Sequence, residues 1–498
     1  MTGAAPGGTG LRGALMVCGT TSDAGKTTLV MGLARLLARQ GARVAPFKAQ
    51  NMALNSAVTE SGHEIARAQA LQAAAAGVEP DVAMNPVLLK PTGERTAQVV
   101  VGGRPVGVMS AADYDRGKSR LFGTVLDALA DLRSRFDVVL LEGAGSPAEI
   151  NLLARDIANL RVARAARVPA LVVGDIDRGG VFAGLYGTVA LLPDDQRAQV
   201  RGFVINKLRG DPSLLGDACA DLEARTGVPT LGVVPWTPMP PLDAEDSVGL
   251  ATRPRSTAPP VADALDVAVL ALPRISNFTD LDPLWIEPGV RVRFVEDPAG
   301  WGRPDLVVVP GTKATVDDLA WLRACGLAHV LTRTGAAVLG ICGGYQLLGR
   351  GLEDRVESGA GTVAGLGLLP VDTRFEPEKV TRRRTGTALG CAVAGYQIHH
   401  GRVRAHGGDP FVCLDDGAGP VVDGVRQGTC FGTTLHGLLD ADSFRARFLG
   451  QVAARAGKRF VAAGVSFEGE RQARIDGFAD VLAEHLDVAA VERLIGEA

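Results

Sequence analysis

Short unbroken apolar runs alternate with longer stretches of helical period along most of the chain. ALMVCG (14–19) is one such run, and KTTLVMGLARLLARQG (26–41) follows it with apolar residues spaced for one helix face. RVAPF, FDVVLLEG, VPALVVGD, VRGFVINK and TLGVV repeat the short type, each leaving through a polar residue or glycine. The Ala-rich stretch HEIARAQALQAAAAG (63–77) reads as a further helix. Strands that do not alternate are buried on both faces, so the pattern predicts a parallel sheet covered by helices.

ATRPRSTAPPVADAL (251–265) breaks this rhythm with Pro, Ala and charge and reads as a linker. Beyond it LDVAVLALP, RVRFVED, PDLVVVPG and GAAVLGICGG form a second series of the same kind, followed by shorter β-like pieces and a C-terminal helical tail. The expected organisation is a loose Gly-rich start (1–12), a first domain over 13–250, the linker, and a second domain over 266–498 that includes the tail. With 498 residues the chain exceeds what a single core supports, which agrees with two domains.

Hydrophobic residues at 46% and charged ones at 21% are ordinary for a globular protein, and a net charge of −3 offers no basic footprint for nucleic acid or membrane. The seven cysteines are scattered without a C-x-x-C pair, which argues against a disulfide framework and a zinc site. No apolar run reaches the length of a membrane span, and the N-terminus lacks the pattern of a signal peptide. The expectation is a cytoplasmic, reduced protein. Oligomeric state is not legible.

Two stretches carry chemistry. CGTTSDAGKTTLV (18–30) lies between the first strand and the first helix. Gly19, Gly25, Lys26 and Thr27 follow the P-loop spacing with one extra residue. Backbone N–H groups and the helix N-terminus favour phosphate there. Lys26 reaches the β/γ-phosphates, Thr27 offers a hydroxyl to Mg²⁺, and Thr28 completes the nucleotide-binding set. Glu142, where FDVVLLEG leaves the sheet, is the candidate second Mg²⁺ group. Asn206, at the end of VRGFVINK, is a candidate adenine contact, with plain strand-end polarity as the competing reading.

The second stretch is VLGICGGYQLLG (338–349), where Cys342 sits between a strand and a helix-like segment. That context is a nucleophile elbow, and the helix N-terminus favours a thiolate. Gly343 and, from PDLVVVPG, Gly311 are candidate oxyanion donors. His436, in TCFGTTLHGLLD, is the candidate general base. No acid follows it at the next two positions, which are Gly437 and Leu438. The expectation is a Cys–His dyad with no carboxylate on the far ring nitrogen, Asp440 having turned away.

The phosphate loop resembles that of dethiobiotin synthetase, and GICGGYQLLG with its downstream histidine resembles a class I glutamine amidotransferase domain. The fold class expected is therefore α/β, a dethiobiotin-synthetase-like P-loop sheet domain joined to an amidotransferase-like domain. Partition ATPases carry a second lysine early in the loop, where this chain has Gly19-Thr20-Thr21. FKAQNMALNS (47–56), EGAGSPAEINL (142–152), VVGDIDRGGVFA (172–183) and PGTKATVDDL (310–319) together resemble the cobyric acid synthase family of cobalamin biosynthesis. The resemblance implies ATP and Mg²⁺ as cofactors, corrinoid and glutamine as ligands, and amidation of the b, d, e and g carboxylates of an adenosylated a,c-diamide. Asn51, Asn55, Arg178 and Gly179 are then candidate corrinoid contacts, against an equally weighted plain-loop reading. His399 and His400 read as surface or network histidines near the second site rather than cobalt ligands. The rivals are the sister a,c-diamide synthase and a nucleotide switch with an inactive second domain.

Overall fold

The computed structural model describes residues 10–238, 242–243 and 263–498. By contacts the chain forms two units. One comprises residues up to Ala53, Ile65–Met239 and Gln472–Ala498, and the other comprises Leu54–Glu64 and Pro240–Arg471. Most of the sequence-predicted linker, 251–262, lies outside the described residues.

In the first unit all six short apolar runs become strands of one sheet. The spatial order is Thr230–Pro235, Val200–Leu208, Ala170–Asp175, Gly13–Gly19, Val138–Glu142, Val44–Phe47. Every pairing is parallel. The strand Gly13–Gly19 is central, so the loop that follows it opens at the carboxyl edge of the sheet, where open α/β sheets bind ligands. A four-stranded side sheet joins Gln50–Met52, Val87–Pro91, Thr96–Val101 and Arg104–Ser110.

Two sequence expectations change here. The C-terminal tail belongs to this unit, not to the second. Phe478, Leu482, Val491 and Ile495 join the core that contains Leu29, Leu33 and Val44. Gly32 is where the tail meets the first helix, since a Cβ there would stand 2.6 Å from a Leu482 methyl. Burying each such side chain stabilises by about 1.5–3 kcal/mol, which outweighs any preference set by chain order. The second change concerns the Ala-rich helix, which spans only Arg67–Ala75, because Glu64–Ala66 is a strand paired with Ser56–Val58.

In the second unit the four predicted runs give strands Leu265–Leu270, Val290–Val295, Leu306–Val309 and Ala337–Ile341. They pair in parallel with one another and with Cys430–Thr433. The sheet continues antiparallel through Pro420–Gln427 and Asp409–Asp415 to a long hairpin, Val371–Ala388 with Cys391–Ala405. Cys342 therefore stands at the carboxyl end of a central strand, next to the strand that leads to His436.

Candidate functional site

In the second unit, Cys342 caps the helix Gly343–Leu348 with φ 50° and ψ −110°. A non-glycine residue in that region is strained and persists only where its surroundings hold it. Here the Cys342 amide donates to the Thr433 carbonyl at 2.8 Å, pinning the elbow to the neighbouring strand. The glycines that follow are steric necessities. A Cβ on Gly344 would lie 1.9 Å from the Val309 carbonyl oxygen, and one on Gly343 would lie 3.0 Å from the Thr312 nitrogen. Gly311 lies against the ring of His436, 3.1 Å from its Cε1 by the same measure. The two glycines expected to supply oxyanion donors thus flank the Cys342–His436 pair.

His436 is fully buried, stacked on Tyr396 with ring centroids 5.1 Å apart and bridged to it by two backbone hydrogen bonds. Its Nδ1 lies 2.7 Å from Asp280 Oδ2, and Asp280 Oδ1 accepts from the Gly437 amide at 2.8 Å. The expectation of a bare dyad is thereby corrected. The carboxylate comes from upstream, on the turn Phe278–Leu281, and not from the residues after the histidine. Burial works to lower the His436 pKa, but the Asp280 carboxylate and then the Cys342 thiolate override it and push it up to about 10. Asn277 Nδ2 faces Nε2 at 3.2 Å. That contact suits the neutral ring, because an amide N–H can be accepted only by an unprotonated Nε2. The Asn277 amide and the Asp280 and Cys342 charges thus act on the ring in opposite directions.

His399 and His400 donate from Nδ1 to the Gly401 and Glu376 carbonyls at 2.7 and 3.0 Å. Burial lowers both, His399 to about 3, so both rings are neutral network members. Thr312 donates to the buried Asp318, which also accepts from the Arg274 amide, and this braces the loop that carries Gly311.

In the first unit, Gly25 takes φ 97° at the start of the helix Lys26–Arg39, and Lys26 folds back to donate to the Thr21 carbonyl at 2.8 Å. Lys26 thereby closes over the 19–27 loop. Thr27 Oγ1 donates to Glu142 Oε1 at 2.7 Å, so the two groups expected to share Mg²⁺ are in contact. A hydroxyl and a carboxylate are hard oxygen donors of the kind Mg²⁺ takes beside phosphate oxygens. Among the described residues no group of three or more His, Cys, Asp or Glu could form a self-sufficient metal cage. Thr28 is half-buried on the same first turn.

Sequence reasoning missed two partners of Glu142. Lys48 Nζ lies 2.9 Å from Oε1, and Gln72 Nε2 donates to Oε2 at 2.7 Å, all three side chains being buried. Lys48 stood inside FKAQNMALNS, a stretch valued for its resemblance alone. Asn206 Nδ2 donates to the Ala24 carbonyl at 2.9 Å, bracing the loop, and Lys207 ties Asp23 to Asp175. Arg178 is exposed and also pairs with Asp23 and Asp175, while Gly179 takes φ 78° in the turn before the helix Val181–Leu191.

Asn51 and Asn55 do not stand open to a ligand. Asn51 donates to Gln69 at 2.9 Å, and Asn55 accepts from the Phe278 amide at 3.2 Å. Both side chains are buried, so their polar groups support the protein itself.

Residues 15–244 match the family model of the CobQ/CobB/MinD/ParA nucleotide binding domain, and 266–444 match that of the CobB/CobQ-like glutamine amidotransferase domain. The cobyric acid synthase of Frankia casuarinae is 53% identical over 98% of this chain and 97% of its own. Those of Streptomyces coelicolor and Nocardia farcinica are each 54% identical over 97% of both chains. The chain belongs to the cobyric acid synthase family. It is thus an amide-forming ligase of cobalamin biosynthesis that takes glutamine as amido donor, with a nucleotide-binding domain and an amidotransferase domain. No described helix is long and apolar enough to cross a membrane.

Proposed function

We propose that the enzyme uses ATP, Mg²⁺ and glutamine to convert the b, d, e and g carboxylates of an adenosylated cobyrinic acid a,c-diamide into amides. The observation that carries the corrinoid assignment is the nearly full-length match to cobyric acid synthases, which spans both domains at once.

A carboxylate is a poor acyl donor. Transfer of the γ-phosphoryl group of ATP to a carboxylate oxygen gives an acyl phosphate and ADP. Lys26 and the N–H groups of the 19–27 loop stabilise the charge that spreads over the transferring group. Thr27 and Glu142 would hold Mg²⁺, which would supply positive charge to the nucleotide phosphates. Lys48 neutralises Glu142 before the metal and nucleotide arrive.

Ammonia arises separately. His436 accepts the thiol proton of Cys342, and the thiolate attacks the side-chain carbonyl of glutamine. The developing oxyanion meets the N–H groups of Gly311 and Gly343. The protonated His436 then returns its proton to the departing ammonia, leaving a glutamyl thioester that water hydrolyses to glutamate and free thiol. Ammonia displaces phosphate from the acyl phosphate and forms the amide.

Mass spectrometry of the product from the corrinoid diamide, ATP, Mg²⁺ and glutamine tests this reading. Four successive acid-to-amide steps are expected. A product that gains amides only when cobyrinic acid replaces the diamide would reassign the chain to the a,c-diamide reaction.

A further inference from the structure

We propose that Asn277 is a positioning residue that occupies the lone pair of His436, set in place by the hairpin 54–64, so that glutamine hydrolysis waits until this contact is released. The inference rests on the reading of Cys342 and His436 as nucleophile and base.

Asn277 is buried in a left-handed conformation, φ 52°, on the turn that also bears Asp280. Its amide orientation is fixed from outside the turn. The Ser56 backbone N–H donates to Asn277 Oδ1 at 2.8 Å, so the group facing His436 Nε2 at 3.2 Å is the NH₂ end. The other ring nitrogen donates its proton to Asp280. Nε2 therefore carries a single lone pair, which the Asn277 amide and the Cys342 thiol contest. Removing the Cys342 proton requires that same lone pair. Once protonated, Nε2–H would face a second donor, an unpaired arrangement in a buried site. The contact thus restrains proton transfer while keeping the tautomer that a base needs.

The hairpin that imposes this is firmly seated. Asn55 Oδ1 accepts from the Phe278 amide at 3.2 Å, and Ser56 Oγ donates to Glu64 at 2.8 Å. Glu64 in turn pairs with Lys379 at 2.6 Å. Both flanks of the hairpin, up to Ala53 and from Ile65 onward, run into the first unit, and the segment lies within the stretch matched by the nucleotide-binding model. A shift of that segment withdraws the Ser56 donor, frees the Asn277 amide to turn, and releases Nε2. Glutamine hydrolysis without an acyl phosphate is then slowed by this hold rather than by a missing orienting acid.

The test uses the full-length enzyme without ATP or corrinoid, measuring glutamate release and the pH dependence of Cys342 alkylation by iodoacetamide. Two variants tolerate the left-handed backbone. Asn277→Gly deletes the amide, and Asn277→Asp offers an acceptor to Nε2–H instead of a donor. With its melting transition intact, Asn277→Gly should release glutamate roughly three- to tenfold faster than the parent, the range expected for one hydrogen bond. Asn277→Asp should shift alkylation of Cys342 to lower pH. Unchanged or slower hydrolysis in Asn277→Gly, or an unshifted profile in Asn277→Asp, would overturn the restraint. A parent enzyme that hydrolyses no glutamine even with ATP and corrinoid would overturn the Cys342 reading itself and this inference with it.

Discussion

Asp280 Oδ2 lies 2.7 Å from His436 Nδ1, across 156 residues of sequence, and supplies the carboxylate that the residues after the histidine do not. It fixes the ring in the tautomer whose Nε2 can accept a proton. Replacing it with asparagine presents an amide that can donate to Nδ1 and favour the wrong tautomer. Asp280→Asn should therefore lower kcat for glutamine-dependent amidation by about 10²–10⁴. Asp440→Asn should change it by less than about tenfold. Steady-state kinetics on both variants decides the point, and equal losses would show that Asp440 shares the role.

Asp318 gives a pH-dependent stability. Burial raises its carboxyl to about 6, against a smaller lowering by the Thr312 hydroxyl. The folded state thus holds a proton that the unfolded chain, with an ordinary carboxyl, gives up earlier. The stability it contributes is fully present below about pH 4 and is lost as pH rises through about 6. Asp318→Asn keeps an oxygen acceptor for Thr312 without the buried charge. At pH 7 it should stabilise the protein by about 1–3 kcal/mol. Urea midpoints of both proteins from pH 4 to 8 should diverge across that window, and parallel curves would refute a raised Asp318.

Much of the fold was legible because strands buried on both faces leave unbroken apolar runs. All ten such runs became parallel strands. The tight 19–27 loop and the strand-to-helix turn at Cys342 were legible too, since Gly25 and Gly343 mark local backbone demands that sequence displays directly. What escaped was long-range. Asp280 sits in NFTDLD, which reads as an ordinary acidic turn until folding brings His436 to it. Lys48 and Gln72 meet Glu142 only through the sheet. In the segment 54–64 the Asn55 and Glu64 side chains and the Ser56 amide meet partners at 278, 379 and 277, so the helical period that begins at His63 misplaces the start of the helix. The tail was misassigned because proximity along the chain says nothing about which core offers Ile475 and Leu482 a place to bury.

Lys48 and Glu142 form a buried ion pair beside the 19–27 loop. Removing one partner strands the other charge away from water. Lys48→Met should destabilise the first unit by about 3–5 kcal/mol. The double variant Lys48→Met with Glu142→Gln should recover most of that loss. Thermal denaturation of the three proteins measures both, and additive losses would mean that the pair is not coupled.

Lys26 folds back over the 19–27 loop, and the role proposed for its charge is phosphoryl transfer. Lys26→Ala should lose corrinoid-dependent ADP formation while glutamine hydrolysis at Cys342 persists. Unchanged ADP release in a coupled assay would remove the basis for assigning the 19–27 loop to ATP.

The proposed reaction divides labour between a thiol that only liberates ammonia and a nucleotide site that only activates carboxylates. Amidation by Cys342→Ala, supplied either with glutamine or with an ammonium salt, tests that division most directly. Glutamine should support no detectable amide formation, and ammonium should support nearly the rate of the parent enzyme given ammonium. Loss of both activities in a folded variant would contradict the account.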